Sequence, residues 1–405
     1  MLFCSFNLSR QTGKGQNMKG KSTQIIASGY SGKSTSLERY HSINPPIYHA
    51  STVLFDDYAE LKAVGQGQYD GFTYGTDGSP TQRAFEQAIT ELEGGYWTKA
   101  FPSGLLAITS VLQAFLQSGD HLLVCNSVYG PVRRFAKNLL EKFGVTTSYF
   151  PANAGADIAN YIRPETRLIL LESPGSNTFE IQDVPAIVKL AREHGILTAI
   201  DNTWATPLFF SPFRHGVDIS IHSVTKYISG HSDVLLGSAT VSEACYATFH
   251  KLCRSLEIFA SQDACYLALR GLKTLTIRLK QHEASALALA TWLEAQPAVD
   301  AVLHPALLSH PEHAIWQRDF DGSAGIFSFV LKPQYAEEAL SRFVDSLELF
   351  AIGYSWGGFK SLVTAGKFAQ SESSRYHDRW MVRLNVGLED VTDLQEDVRR
   401  ALAKL

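Results

Sequence analysis

Apolar residues recur at spacings of three and four through Leu105, Ile108, Val111, Leu112 and Phe115, which predicts a helix over Gly104–Gln117. A short and almost wholly apolar run follows at His121–Asn126, the signature of a buried strand. The alternation continues with strands over Arg167–Leu171, Ile196–Ile200 and Val217–Ile221 and a helix over Val184–Glu193. Strands this short and apolar, separated by amphipathic helices, belong to a mainly parallel sheet covered on both faces. The middle of the chain therefore reads as an α/β domain.

Near Ala264 the pattern changes. A long helical stretch runs to Ala295, followed by strands over Ala301–Leu303, Ile326–Leu331, Leu349–Gly353 and Met381–Val386, with a helix over Ala336–Leu347 among them. This predicts a smaller α+β domain at the C-terminus. The expected division is an N-terminal arm over 1–73, a large domain over 74–263 and a small one over 264–405. No internal repeat or low-complexity tract interrupts the pattern.

At 405 residues the chain is long enough for two domains, and 45% hydrophobic against 19% charged residues place it among ordinary globular proteins. A net charge of −4 makes no electrostatic case for nucleic acid or an anionic membrane, which leaves small molecules and protein subunits as partners. Five cysteines, odd in number and without a CxxC pair, argue against a disulfide framework or a Cys-rich zinc site. A reducing compartment fits, so a cytoplasmic location is expected. No apolar run approaches the roughly 18 residues that a membrane-spanning helix requires. The first 37 residues lack Asp and Glu but carry Arg10, Lys14, Lys19, Lys21 and Lys33. They read as a flexible arm, with a transit peptide or a start at Met18 as alternatives.

In open α/β sheets, ligands bind at the carboxyl ends of the strands. Asp201 ends the run Ile196-Leu-Thr-Ala-Ile200, and Lys226 follows Ile221 in His222-Ser-Val-Thr-Lys226, so both can face one cleft. A lysine in a cleft wall loses its proton through desolvation and becomes a nucleophile toward an aldehyde. Singly, Asp201 reads equally well as a helix cap and Lys226 as a solvated loop lysine; their shared position at strand ends favours chemistry. Pro102-Ser103-Gly104-Leu105 opens a helix, where free backbone N–H groups attract an anion, although Ser-Gly there is most often only a cap. Ser223 and Thr225 flank Lys226 and offer hydroxyl donors.

The run Ser223-Val-Thr-Lys-Tyr-Ile-Ser-Gly-His-Ser-Asp233, with Asp201-Asn-Thr-Trp204, Glu172-Ser-Pro-Gly-Ser176 and Leu92-Glu-Gly-Gly95, resembles the Cys/Met-metabolism family of pyridoxal-5′-phosphate (PLP) enzymes. Within that family it is most similar to the bacterial cystathionine β-lyases. The resemblance runs from about Tyr74 to the C-terminus. It implies an aspartate-aminotransferase-like, fold type I large domain with a smaller α+β C-terminal domain. It also implies that Lys226 is the Schiff-base lysine and Asp201 the partner of the pyridine nitrogen. Gly104 and Leu105 would be the backbone phosphate donors, Ser223 and Thr225 would add hydroxyls, and Tyr129 would stack on the ring. Tyr74 would cross to the neighbouring subunit's phosphate, which implies a homodimer or homotetramer with shared sites. Arg383, in Met381-Val-Arg-Leu-Asn-Val-Gly-Leu-Glu389, would hold the substrate carboxylate. Ser355 and Trp356, in Tyr354-Ser-Trp-Gly-Gly358, would line the pocket. No metal is implied.

Two positions depart from the family pattern: Thr76 stands where an arginine is common, and Lys360 where a glutamate is usual. Arg83 is close to Tyr74 in sequence but falls in a predicted helix. The run Pro174-Gly-Ser-Asn177, in place of the Pro-Thr-Asn-Pro type of the γ-specific relatives, implies β-elimination of L-cystathionine to homocysteine, pyruvate and ammonia. The alternatives are another sulfur amino-acid PLP enzyme, such as a cysteine desulfhydrase, γ-lyase or γ-synthase, and a catalytically silent PLP-binding homologue.

Overall fold

The computed structural model describes residues 20–28, 43–369 and 374–405, so both alternative starts lie outside the described residues; within the expected flexible arm, Lys21–Ala27 instead forms a helix that buries Ile25. Seven strands build the larger sheet: β1 (Trp97–Phe101), β2 (His121–Cys125), β3 (Thr146–Phe150), β4 (Thr166–Glu172), β5 (Leu197–Asp201), β6 (Ile219–His222) and β7 (Gly237–Val241). Their order is β1-β7-β6-β5-β4-β2-β3. Strands β2 to β6 are parallel, while β7 runs antiparallel to both β1 and β6. Every residue of β2 and β6 is buried, as expected for strands with helices over both faces.

The helices preceding and flanking these strands are α1 (Lys21–Ala27), α2 (Tyr58–Gly65), α3 (Pro80–Glu93), α4 (Gly104–Phe115), α5 (Gly130–Phe135) and α6 (Val184–Glu193). Local chemistry sets their ends. Ser79 caps α3, Pro80 opens it, and Gly94 closes it at a φ of 71°. Asp183 Oδ1 accepts the Ala186 N–H at 3.2 Å and fixes the start of α6 where the periodicity predicts it.

The smaller sheet contains β8 (Val299–Leu303), β9 (Ile326–Leu331), β10 (Ala351–Ile352), β11 (Leu362–Gly366) and β12 (Met381–Asn385), in the order β10-β11-β12-β9-β8. Arg383 on β12 lies in register between Ser328 of β9 and Thr364 of β11. The expected long helix is two, Gln262–Leu272 and Leu275–Glu294. They part at a turn in which Lys273 and Thr274 N–H groups bond Arg270 and Gly271 carbonyls. The expected strand over Leu349–Gly353 shrinks to two residues because the N–H groups of Leu349 and Phe350 turn to the Asp397 carboxylate, at 2.8 and 3.2 Å. Two cores result, and the helix Leu275–Glu294 joins them: Leu275 and Leu279 pack in the larger, Leu289 and Leu293 in the smaller. The four described cysteines, Cys125, Cys245, Cys253 and Cys265, are buried and unpaired.

Candidate active site

One end of the candidate site forms where β1 gives way to α4. Ser103 Oγ accepts the Leu106 N–H at 3.2 Å, and helix geometry leaves the N–H groups of Gly104 and Leu105 without an intrahelical acceptor. A Cβ at Gly104 would stand 2.7–2.9 Å from the Cβ, Oγ and Cα of Ser223, so only glycine lets the segment leaving β6 come this close. Ser223 is held there by its own N–H, which donates to Thr203 Oγ1 at 2.8 Å. Thr225 Oγ1 is already engaged, donating to the Leu236 carbonyl at 3.1 Å and accepting the Leu236 N–H at 3.0 Å.

Asp201 ends β5 beside Glu172, the last residue of β4, and the two pair in register. Asp201 Oδ1 accepts both the N–H of Thr203, at 3.0 Å, and its hydroxyl. Glu172 accepts the Tyr129 N–H at 2.7 Å and the Ser176 hydroxyl. Burial raises the pKa of both carboxyl groups, and the neighbouring Asp201 charge helps push Glu172 up to about 8. Lys226 sits on the turn after β6. Burial first and the nearby Arg383 second lower its pKa to about 8, against the opposing pull of Asp201.

The smaller domain closes the cleft over this lysine. Lys226 Nζ donates to Ser355 Oγ at 2.6 Å and lies 5.4 Å from the centre of the Trp356 ring. Ser355 has a φ of 84°, a conformation that a serine holds only where its surroundings impose it. Next to it, Gly357 packs on the Lys226 backbone so tightly that a Cβ would be 2.8 Å from the Tyr227 nitrogen. Arg383 Nη1 donates to Asn177 Oδ1 at 2.9 Å. Tyr129 leads into α5 with a half-exposed ring, close enough to Arg383 to act on its charge.

Sequence reasoning thus nominates residues that the fold gathers around Lys226: Asp201, Arg383, Ser355 and Trp356. Tyr74 is different. It bridges Thr52 with its side chain half-exposed, and among the described residues it bonds none of these groups. Thr76 occupies a short turn, and Arg83 lies 4.2 Å over the Phe72 ring rather than toward the cleft residues. Lys360 lies 3.7 Å from Glu389. Sequence reasoning assigned no role to Thr203, Glu172 and Asn177. Thr203 was visible as a hydroxyl two residues beyond an aspartate, a common local turn; the other two act through distant partners.

The family profile of the Cys/Met metabolism PLP-dependent enzymes matches residues 22–403. The chain belongs to this family. It is 46% identical to a provisionally named cystathionine beta-lyase of Rhizobium johnstonii, over 90% of this chain and 92% of that one. The cystathionine beta-lyase MetC of Escherichia coli is 39% identical over 95% of this chain and 98% of its own. The crystal structure of metB from Corynebacterium glutamicum superposes with a TM-score of 0.87 at 31% identity, covering 96% of this chain and 98% of that one. The fold is accordingly fold type I. A human cystathionine gamma-lyase and a Wolbachia L-alanine/L-glutamate racemase also match, over 89% and 90% of the chain.

Members of this family depend on PLP, and the residues present fit that group. Asp201 has no ion-pair partner within 4 Å among the described residues; burial raises its pKa, and Thr203, His222 and Lys226 act against that rise. A pyridinium is the kind of cation that would compensate the Asp201 charge. Beside Ser223, the N–H groups of Gly104 and Leu105 at the start of α4 are left open to an anion, and Lys226 is a desolvated amine. Among the described residues, no cluster of His, Cys, Asp or Glu is arranged to hold a metal ion, and no helix is long and apolar enough to cross a membrane.

Proposed function

We propose that this PLP-dependent lyase cleaves L-cystathionine at Cβ, giving homocysteine, pyruvate and ammonia. The observation that carries the reading is the loop Tyr354-Ser-Trp-Gly-Gly358, which sets Ser355 and Trp356 directly against the Lys226 amine. When bound, PLP supplies an electron sink for the charge left at Cα. Lys226 would hold it through Nζ, Asp201 would face the ring nitrogen and favour its protonated form, and Gly104, Leu105 and Ser223 would hold the phosphate, with Thr225 beside them once its hydroxyl leaves Leu236.

Arg383 takes the substrate carboxylate through its planar fork. Tyr129 flanks the ring and accepts a proton from the incoming amine. As a free amine, Lys226 would take the Cα proton and deliver a proton to the departing sulfur. Ser355 holds Nζ on the reacting side, and Trp356 walls the pocket against water. Tyr74 completes the phosphate site of a second subunit, so the working unit is a homodimer or a dimer of dimers.

Product analysis with L-cystathionine tests the reading. Pyruvate with homocysteine is the expected outcome. Cysteine with 2-oxobutyrate means γ-cleavage, and conversion of L-alanine to its mirror image without pyruvate means racemisation. A chain that takes up PLP yet releases no product is a silent homologue, and one that stays colourless with added PLP overturns every PLP-enzyme reading.

A further inference from the structure

We infer that Asn177 is a positioning residue for Arg383: it fixes the guanidinium through a neutral acceptor and so reserves the positive charge for the substrate carboxylate. This rests on the reading that Lys226 carries PLP and that Arg383 faces the bound amino acid.

Arg383 is largely removed from water, and that burial lowers its pKa. A guanidinium in such a place is normally matched by a carboxylate. Here Tyr129 and Tyr354 favour its charge and the Lys226 amine opposes it, while no acidic side chain among the described residues pairs with it. Its cross-strand neighbours, Ser328 and Thr364, are uncharged, and their buried hydroxyls have no partner. The hydrogen bond to Asn177 Oδ1 at 2.9 Å therefore orients the fork without neutralising it. One N–H is taken and the others remain for an anion.

Asn177 is itself held in place. It adopts a φ of 65°, a left-handed conformation that asparagine tolerates better than most residues. The loop around it is closed by Gly175 N–H to Glu180 O at 2.9 Å, Phe179 N–H to Gly175 O at 3.1 Å and Ser176 N–H to Ser127 O at 2.8 Å. Ser176 also donates to Glu172, which accepts the Tyr129 N–H. The loop that aims Arg383 is thus tied to the residue that precedes α5, and both are anchored at the end of β4. An aspartate at 177 would keep the shape and the left-handed backbone but place a counter-charge on Arg383. It would then compete with the substrate for the fork.

The experiment compares two amines on the holoenzyme, followed by the absorbance of the bound cofactor. L-Alanine carries a carboxylate and no leaving group; methoxyamine carries no carboxylate. Asn177→Gly accepts the positive φ and removes the acceptor, so L-alanine binding is expected to weaken about tenfold. Asn177→Asp is expected to weaken it about a hundredfold, because the fork is then neutralised as well as occupied. Both variants should bind methoxyamine within about twofold of the parent, since that ligand does not use Arg383.

Unchanged L-alanine binding in both variants overturns the inference. So does an equal loss for the two amines, which would mark Asn177 as a purely structural loop residue. If the parent protein responds to neither amine, the failure lies in the PLP and Lys226 reading, and the inference falls with it. The result does not depend on whether elimination or racemisation follows binding.

Discussion

Lys226 is a buried amine whose ordinary pKa near 10.5 is lowered to about 8, chiefly by loss of water and next by Arg383. The sign follows directly: below about 8 the amine is protonated and cannot attack an aldehyde, and above it the amine is free. Covalent loading of the apoprotein with PLP, trapped with borohydride, should therefore rise about tenfold per pH unit and level off near the lowered pKa. A profile still climbing toward the ordinary lysine range would mean that Lys226 is solvated, and Lys226→Ala should trap nothing. Asp201 makes a different prediction. Its amide variant, Asp201→Asn, keeps the bonds to Thr203 but removes the charge, so kcat should fall by about a hundredfold or more while the melting temperature changes little. Near-normal turnover would reduce Asp201 to an anchor for Thr203. At this scale the sequence was most legible: Asp201 and Lys226 stood out because each follows an apolar run. Glu172 and Asn177 did not, since nothing local marks a carboxylate or an amide whose partners lie on other elements.

At the scale of elements, the site depends on how closely α4 approaches the segment after β6. The contact between Gly104 and Ser223 leaves no room for a methyl group. Gly104→Ala should force the two apart, destabilising the protein by about 1–3 kcal/mol as overpacking does. PLP retention on gel filtration should fall with it. A variant that melts lower but holds PLP normally would separate the packing role from the phosphate role. Elements with a strong periodic signal, α4, α6, β2 and β9, were readable from the sequence to within two residues. Strands β1, β3, β7 and β11 were not. Trp97-Thr-Lys-Ala-Phe101 carries Lys99 inside the protein, where Glu86 stands 3.8 Å away, and Gly237-Ser-Ala-Thr-Val241 is built of small residues, two of them polar. Their strand identity comes from pairing partners rather than from apolar content.

For the whole molecule, the N-terminal segment leaves apolar surface open among the described residues. Helix α2 buries none of its residues; Leu54, Tyr58 and Leu61 are exposed, and Tyr74 follows on the same segment. The proposed second subunit would cover such a surface. Mixing inactive Lys226→Ala and Tyr74→Ala chains should restore partial activity, because one hybrid site then holds both native residues. Mixed dimers that recover nothing would confine Tyr74 to its own chain. Tyr74→Phe alone should weaken PLP retention by about 1.5–3 kcal/mol, the range for a hydrogen bond to a charged group. With Thr76 in place of the usual arginine, that contact has little to substitute for it.

The sequence by itself determined the α/β class, the smaller C-terminal sheet and the positions of Asp201 and Lys226 at the ends of apolar runs, all written in short-range patterns that local physics reads directly. The cofactor family came from the resemblance of the motifs around those two residues. The tertiary structure alone decided which distant groups meet. Ser355 reaches Lys226 across 129 residues of chain, and Asn177 reaches Arg383 across 206. Burial and the approach of Arg383 lower the pKa of Lys226, and burial beside Asp201 raises that of Glu172. Desolvation and electrostatic coupling depend on which layers close over a group, and that is a property of the packed molecule rather than of any segment.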